Sequence, residues 1–370
     1  MSIRTVVVVA SVNELRNIPM FKEAFQRQRS TIFVLDEGNP RVRRKNKLLL
    51  DGLPHRFYGP KERREYFLRT FGRMGAKVSH VIPDRCHAET SFGFLLAYQE
   101  RPDIILELDD DTFPAAGHSM VGQHVASIGK HECPTVSCSG GWYNTFENLR
   151  LNASGIFPRG HPYDALTRSG RYHWSTMESR IVLNMGLWLG HPDFDALTIL
   201  SQGGLDGRSN VKSIGIKRNQ LVVGKGTYFA LCSMNVAFKP EIVPAFYQLY
   251  MNYMGLDRFD DIWSGIFLKR IVDHLGVNVS VGAPAVRHVK RPRDIFRDLR
   301  AELEGMAINE ILWRTVNSLN IEGNDYWTAY RSLALGLEHA LGKMSNLFWR
   351  KLLRQQTRKM QAWLRLFERL

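Results

Sequence analysis

The sequence predicts an α/β fold, a sheet of mainly parallel strands followed by a helical C-terminal extension. Three observations predict it. Val6–Ala10 is an uninterrupted β-branched run, Thr31–Leu35 is a second apolar run, and Ile104–Leu108 is a third that leads straight into Asp109-Asp110-Asp111. Continuous apolar runs of this length suit strands buried on both faces of a parallel sheet. A helical segment between the first two makes a right-handed βαβ unit.

The elements follow in order. Ile18–Gln28 reads as the first crossover helix, and Asp36-Glu37-Gly38-Asn39-Pro40 is a turn-forming string closing the second strand. Residues 41–80 read as basic and irregular, with one helix near Lys61–Gly72, and His87–Tyr98 reads as another helix. Residues 133–235 are expected to mix short strands with Gly- and Asn-rich turns. Glu241–Met254 and Asp260–Leu275 read as helices, Val277–Val281 and Ala285–His288 as late strands, and helix is expected from about Asp294 onward. This sets a sheet domain at 1–300 and a helical region with a basic amphipathic tail at 301–370.

Composition narrows the function classes. A chain of 370 residues can hold one large α/β domain and an appendage. Hydrophobic residues at 44% and charged residues at 23% exclude disorder as the default. The formal charge of +14 favours anionic company such as phosphorylated substrates or lipid head groups. No RNA- or DNA-binding motif accompanies it, so no nucleic-acid partner is expected. The four cysteines, Cys86, Cys133, Cys138 and Cys232, have neither C-x-x-C nor zinc-site spacing and suit a reducing cytosol. No run reaches about 18 apolar residues and no signal-peptide pattern opens the chain, so a cytoplasmic setting is expected.

The strand-end carboxylates carry the chemistry. Three adjacent acids repel one another, which is costly unless a cation neutralises them. Mg²⁺ or Mn²⁺ held by one or two carboxylates plus phosphates is the common solution. Such a metal on a sugar nucleotide would stabilise the departing diphosphate. Asp109 and Asp111 are therefore metal candidates, with Asp109 also on the nucleotide and Asp110 on the substrate; the alternative is three solvated loop aspartates. Asn13 and Asp36 lie at the carboxyl ends of strands, where ligands of such sheets bind. Asp36 is placed to accept from a base N–H, although an Asx-turn role explains it equally. Asp260 and Asp261 open a helix; one satisfies its N-terminus while the other orients a sugar or acts as a base. His288 is a candidate third metal ligand, with Lys290 and Arg291 on phosphate. Its alternative is a structural histidine.

Longer stretches are recognisable. Asn184–Ala196 (NMGLWLGHPDFDA) resembles the reversibly glycosylated polypeptide family, the UDP-arabinopyranose mutases of plants with bacterial and archaeal relatives. Gly226–Phe238 (GTYFALCSMNVAF), Arg258–Gly265 (RFDDIWSG) and Asp273–Val277 (DHLGV) resemble it in the same order. The match runs from roughly residue 5 to 300, with an Arg- and Glu-rich insertion after Gly59-Pro60-Lys61. The resemblance implies a GT-A-like, Rossmann-like nucleotide-sugar domain. It also implies use of UDP-arabinose, UDP-glucose or a similar UDP-sugar, Mn²⁺ or Mg²⁺ at Asp109–Asp111, and homo- or hetero-oligomers. It aligns Asp36 with an acidic position and Lys61 with a nucleotide-contacting tripeptide, and it assigns Trp188 and Asn235 to the substrate. Phe157–Tyr163 resembles the segment whose arginine is reversibly glycosylated, which makes Arg159 the candidate sugar acceptor. A charged guanidinium is a poor nucleophile, so neighbouring carboxylates must take its proton or stabilise the sugar cation. Clamping a phosphate or carboxylate is the alternative role.

The tail adds one expectation. Between Lys343 and Arg369 the charged residues are Lys343, Arg350, Lys351, Arg354, Arg358, Lys359, Arg365, Glu368 and Arg369, interleaved with apolar residues such as Leu352, Leu353, Met360, Trp363 and Leu364. This is an amphipathic helix, suited either to an anionic membrane surface or to packing on the domain or a second subunit. The expected function is a metal-dependent, self-glycosylating UDP-sugar mutase in cell-surface polysaccharide metabolism. The alternatives are a retaining glycosyltransferase acting on a polysaccharide or lipid-linked acceptor at the membrane face, and a scaffold in a glycan assembly complex.

Overall fold

In a computed structural model of the chain, which describes residues 3–84, 86–251, 254–342 and 344–370, the apolar runs form the middle of a sheet. β1 (Thr5–Ser11), β2 (Thr31–Asp36), β3 (His55–Tyr58) and β4 (Ile104–Leu108) are parallel, in the order β3-β2-β1-β4. Val7, Val8, Val9 and Ile105 are fully buried, as strands covered by helices on both faces require.

Past β4 the sheet becomes mixed. It is completed by β5 (Thr112–Pro114), β6 (Gly129–Cys138), β7 (Leu149–Leu151), β8 (Tyr172–Gly190), β9 (Ser213–Ile216), β10 (Gln220–Val223), β11 (Asn235–Phe238) and β12 (Asn278–His288). β11 lies antiparallel between β4 and β8. β12 runs parallel to β8 and antiparallel to β5, with His288 opposite both Gly190 and Thr112. That register carries the end of β12 back beside the aspartate triplet.

The helices are α1 (Lys22–Arg27), α2 (Pro40–Leu49), α3 (Pro60–Phe71), α4 (Arg73–Val78), α5 (Glu89–Glu100), α6 (Met120–Ser127), α7 (Ala165–Arg168), α8 (Ala196–Ser201), α9 (Asp260–His274), α10 (Ile295–Ser318), α11 (Tyr326–Leu341) and α12 (Leu347–Phe367).

Several expectations need correction. The first crossover is a 3-10 turn, Ile18–Phe21, leading into the short α1, with Met20 N bonded to Asn17 O. Residues 41–80 are not irregular: Asn39 caps α2 through its side chain, and β3 is an edge strand. α2 buries only Asn46, so no apolar stripe announces it. β8 is 19 residues long rather than one of several short strands, and most of its first seven residues are exposed, which removes the alternation that marks a strand. Glu241–Met254 is not a helix. A 3-10 stretch ends at Ala245 because Pro244 lacks the N–H an α-helix needs, and Asn252 and Tyr253 lie outside the described residues. The two late strands are one, β12, with an irregularity between Gly282 and Val286.

The C-terminal helices share the core of the sheet domain. α10 spans residue 300, so the expected boundary falls inside a helix. α10 packs on α8 and α9, and α11 packs on α9 and on the Pro240–Ala245 turn. Ile308, Leu333 and Trp363 belong to the same hydrophobic cluster as Val7. α12 buries Leu352, Leu353, Met360, Trp363 and Leu364. Trp363 stacks on Tyr247 at 5.2 Å and donates to Pro244 O at 3.1 Å. Lys359 donates to the His80 carbonyl. Of the two roles offered for the apolar stripe, a membrane surface or packing on the domain, the packing is what is seen, while Lys351, Arg354, Arg358 and Arg365 face solvent. Lys343 lies outside the described residues, and among those described no helix is long and apolar enough to cross a membrane.

Two measurements follow from this packing. Trp363→Ala should cost about 3–5 kcal/mol in denaturant unfolding, as for a fully buried aromatic; a cost under 1 kcal/mol would show that α12 is dispensable to the core. His124 is buried between Asn235 Oδ1 at 2.9 Å and Asn184 Nδ2 at 3.0 Å, and burial pushes it down to about 4. Its unfolded value lies near 6.5, so its contribution is complete above that pH and is lost as pH falls toward 4, by at most about 3 kcal/mol. Urea titrations between pH 7.5 and 4.5 should show that decline, and His124→Gln should flatten it.

Candidate functional site

A cleft of about 490 Å³ opens at the carboxyl end of β4, where ligands of such sheets bind. Separate stretches of chain meet there: Asp109 and Asp111 after β4, Arg159 from a loop, Asp193 after β8, Cys232–Met234 before β11, Asp257–Asp261 at the start of α9, and His288–Arg293 after β12. A recess of about 280 Å³ adjoins it over Ala10–Asn13 at the end of β1, and the two share Asn13, His87, Asp109 and Asp257.

The triplet divides its labour. Asp110 accepts from Ser11 Oγ, from Asn13 Nδ2 at 3.0 Å and from Arg291 at 3.0 Å, so it braces the recess. Burial pushes Asp109 up to about 7, and Asp111, Asp110 and Asp261 add to the rise while His87 opposes it. Burial also disfavours the charge of Asp111, but His288 and Arg291 more than offset it and hold this carboxyl below the usual range. His288 Nδ1 is bound to the His191 carbonyl at 2.7 Å, which turns Nε2 toward Asp111 Oδ2 at 3.6 Å. Among the described residues no three His, Cys, Asp or Glu side chains converge closely enough to hold a metal by themselves. Asp109, Asp111 and His288 nonetheless line the same cleft. Lys290 is nearly sealed, and burial pushes it down to about 8.

Arg159 lies across the cleft floor. Its Nε and Nη2 meet Asp193 Oδ2 at 3.1 and 3.0 Å, its Nη2 meets Asp261 Oδ2 at 3.1 Å, and its Nη1 donates to the Arg258 carbonyl. Burial works against its charge, but the two carboxylates outweigh that and its pKa stands well above the ordinary value. Asp193, despite its own burial, is held far below the carboxylate range by Arg159, with Lys290 and Arg258 adding to the effect. Gly160 makes this loop buildable. Its φ is +85°, and a Cβ there would lie 2.5 Å from Ile262 Cδ1.

Asp260 and Asp261 occupy the first turn of α9, whose N-cap position is Phe259. Asp261 faces Arg159, whereas Asp260 Oδ2 lies 2.6 Å from His87 Nδ1. Burial opposes the charge of His87, but Asp260 outweighs it and raises the imidazole well above its ordinary value.

Other assigned residues stay outside the cleft. Asp36 is fully buried and accepts from Gly38 N and Asn46 Nδ2, both at 2.8 Å. The Asx-turn role describes it, and a base cannot reach it. Lys61 is exposed on α3 and paired with Glu65 at 3.8 Å. Trp188 is fully buried on β8 against Phe146. Asn235 is equally buried, bonded to His124 and to the Leu187 and Pro284 carbonyls. Both belong to the sheet core, so their motifs mark packing rather than substrate contact. Sequence reasoning missed His87, Asp193 and Arg258. Asp193 stands inside a recognised stretch and could have been found there; His87, expected to open a helix, sits in the turn before α5, which begins at Glu89.

The sequence model of a family described as "Reversibly glycosylated polypeptide" matches residues 64–370. It therefore extends over the tail, which the sequence reading left unmatched. UDP-arabinopyranose mutase 1 of Oryza sativa subsp. japonica is 26% identical over 351 residues, covering 92% of this chain and 85% of that one. UDP-arabinopyranose mutase 1 of Arabidopsis thaliana is 32% identical over 247 residues, 64% of this chain and 60% of its own. UDP-arabinopyranose mutase 3 of the same plant is 29% identical over 285 residues, 74% of this chain and 71% of its own.

Breaking a buried ion pair from one side strands the other charge. Arg159→Met should therefore lower unfolding stability by about 3–5 kcal/mol, and adding Asp261→Asn to it should recover part of that loss. A loss within 0.5 kcal/mol in the single variant would show that Asp193 and Asp261 do not depend on the guanidinium.

Proposed function

The chain belongs to the reversibly glycosylated polypeptide family, and on that premise we propose that it is a UDP-sugar mutase that carries the sugar transiently on itself. One observation carries the reading: Arg159, flanked by Asp193 and Asp261, opens into the same cleft as Asp109 and Asp111 at the strand end. An arginine whose two neighbours are carboxylates has proton acceptors within hydrogen-bonding distance.

The diphosphate lies at the Asp109–Asp111 end, with Lys290 and Arg291 on its oxygens. The nucleoside extends over Ala10–Asn13 into the recess. Donor chemistry supports a hard divalent cation there, Mn²⁺ or Mg²⁺. Asp109, Asp111 and His288 offer oxygen and nitrogen donors but no complete cage, and such ions commonly take their remaining ligands from phosphate and water. When bound, the cation offsets the charge of the departing diphosphate. Asp260 and Asp261 orient the sugar through the groups they hold, His87 and Arg159. The C1–diphosphate bond breaks, a guanidine nitrogen of Arg159 takes C1, and its proton passes to Asp261, whose carboxyl burial raises above the usual range. UDP then returns to C1 of the rearranged sugar, and two displacements leave the anomeric configuration retained. A place in cell-surface polysaccharide supply belongs to this proposal. The transferase alternative, with a polysaccharide or lipid-linked acceptor docked by the basic tail, gains nothing from the tail's apolar stripe, which is buried.

Incubation with UDP-arabinopyranose and Mn²⁺ should yield the furanose isomer and add one pentose to the intact mass of the protein. Arg159→Ala should abolish the added mass. Asp111→Asn should weaken Mn²⁺-dependent UDP binding by tenfold or more in calorimetry, about 1.4 kcal/mol. Neither isomer nor adduct from the wild-type chain would sink the reading.

A further inference from the structure

The mutase reading sets a chemical demand that the residues above leave unmet. Exchanging a pyranose ring for a furanose ring breaks C1–O5 and makes C1–O4, so a proton must leave O4 and another must reach O5. One group that both gives and takes a proton beside the sugar suffices. The cleft holds two imidazoles. That of His288 is occupied on both sides, by the His191 carbonyl and by Asp111. That of His87 is held only through Nδ1, by Asp260 at 2.6 Å; its side chain is 40% exposed, and Nε2 has no partner among the described residues. His87 lines both the cleft and the recess. The two consecutive carboxylates of α9 thus divide between two chemical groups, Asp260 taking the imidazole and Asp261 the guanidinium. The group proposed to hold C1 and the free imidazole edge flank the same helical turn.

We propose that His87 is the catalytic acid and base that carries the ring proton, an inference that rests on the mutase reading. While C1 is bonded to the Arg159 nitrogen, the nitrogen lone pair forms a C1=N bond and the C1–O5 pair leaves onto O5. The His87 Nε2–H gives its proton to O5. The neutral imidazole then takes the proton of O4 as an O4 lone pair bonds to C1, and the C=N pair returns to nitrogen. The imidazole ends as it began, and no further reactant is consumed. Asp260 fixes the ring and favours its charged form, as a carboxylate beside a catalytic histidine does.

His87→Asn tests this, since its amide nitrogen can keep the contact to Asp260 while the Nε2 position is removed. Three quantities are read together: UDP affinity, the pentose adduct in intact mass, and pyranose–furanose interconversion. The expected result is UDP affinity within about threefold of wild type, a normal adduct, and interconversion slowed by about 10²–10⁴-fold. Imidazole added to His87→Ala should restore part of the rate, which a purely structural histidine would not allow. Interconversion within fivefold of wild type in His87→Asn overturns the inference, as does loss of adduct and ring exchange in equal proportion. Should His87→Asn fail to fold, His87→Ala decides through imidazole: no rescue overturns the inference. A wild-type chain giving neither adduct nor isomer would instead overturn the mutase reading itself.

Discussion

The guanidinium of Arg159, gripped between Asp193 and Asp261, is the interaction around which the site is arranged. Burying three charges is tolerated only when each is answered by another, because the desolvation cost per ion is several kcal/mol. The answering groups come from distant stretches: a loop at residue 159, the segment after β8, and the first turn of α9. Arg258 extends the chain of charges to the fully buried Glu302 on α10, which also accepts from Ala196 N at 2.6 Å. Removing any one of these elements leaves a bare charge in a low-dielectric cleft, so electrostatics requires the cleft and the surrounding fold to form together.

Sheet register provides the second constraint. β12 lies between β8 and β5, so its last residue reaches the aspartates at the end of β4 although nearly 180 residues separate them in sequence. The cations after β12 then face the acids after β4. This is the arrangement a diphosphate needs: negative groups to hold a cation, and positive groups to hold its oxygens.

The sequence disclosed some of this and concealed the rest for definable reasons. β1, β2 and β4 were legible because strands buried on both faces are continuously apolar. The triplet was legible because acids directly after such a strand are unusual. α2 and β3 were hidden because one buries little and the other is a short edge strand. Of the two roles offered for Asp36 the Asx turn is the one seen, because strand-end position says nothing of which way a side chain turns, and here it turns inward to Gly38 N and Asn46. Trp188 and Asn235 were misread because a recognised stretch mixes packing residues with reacting ones. The tail showed its amphipathic period correctly, but the period cannot say whether protein or lipid covers the apolar side. His87 and Asp193 act through long-range pairing, which no local pattern records.

The docking of α12 has a temporal consequence. Its Lys359 tethers the His80 carbonyl, a few residues before His87, and its Trp363 fills a slot against Tyr247. The ribosome delivers this helix after every other element of the fold. A nascent chain can therefore lay down the sheet and gather the aspartates, yet the segment before His87 gains its last contact only once α12 has emerged.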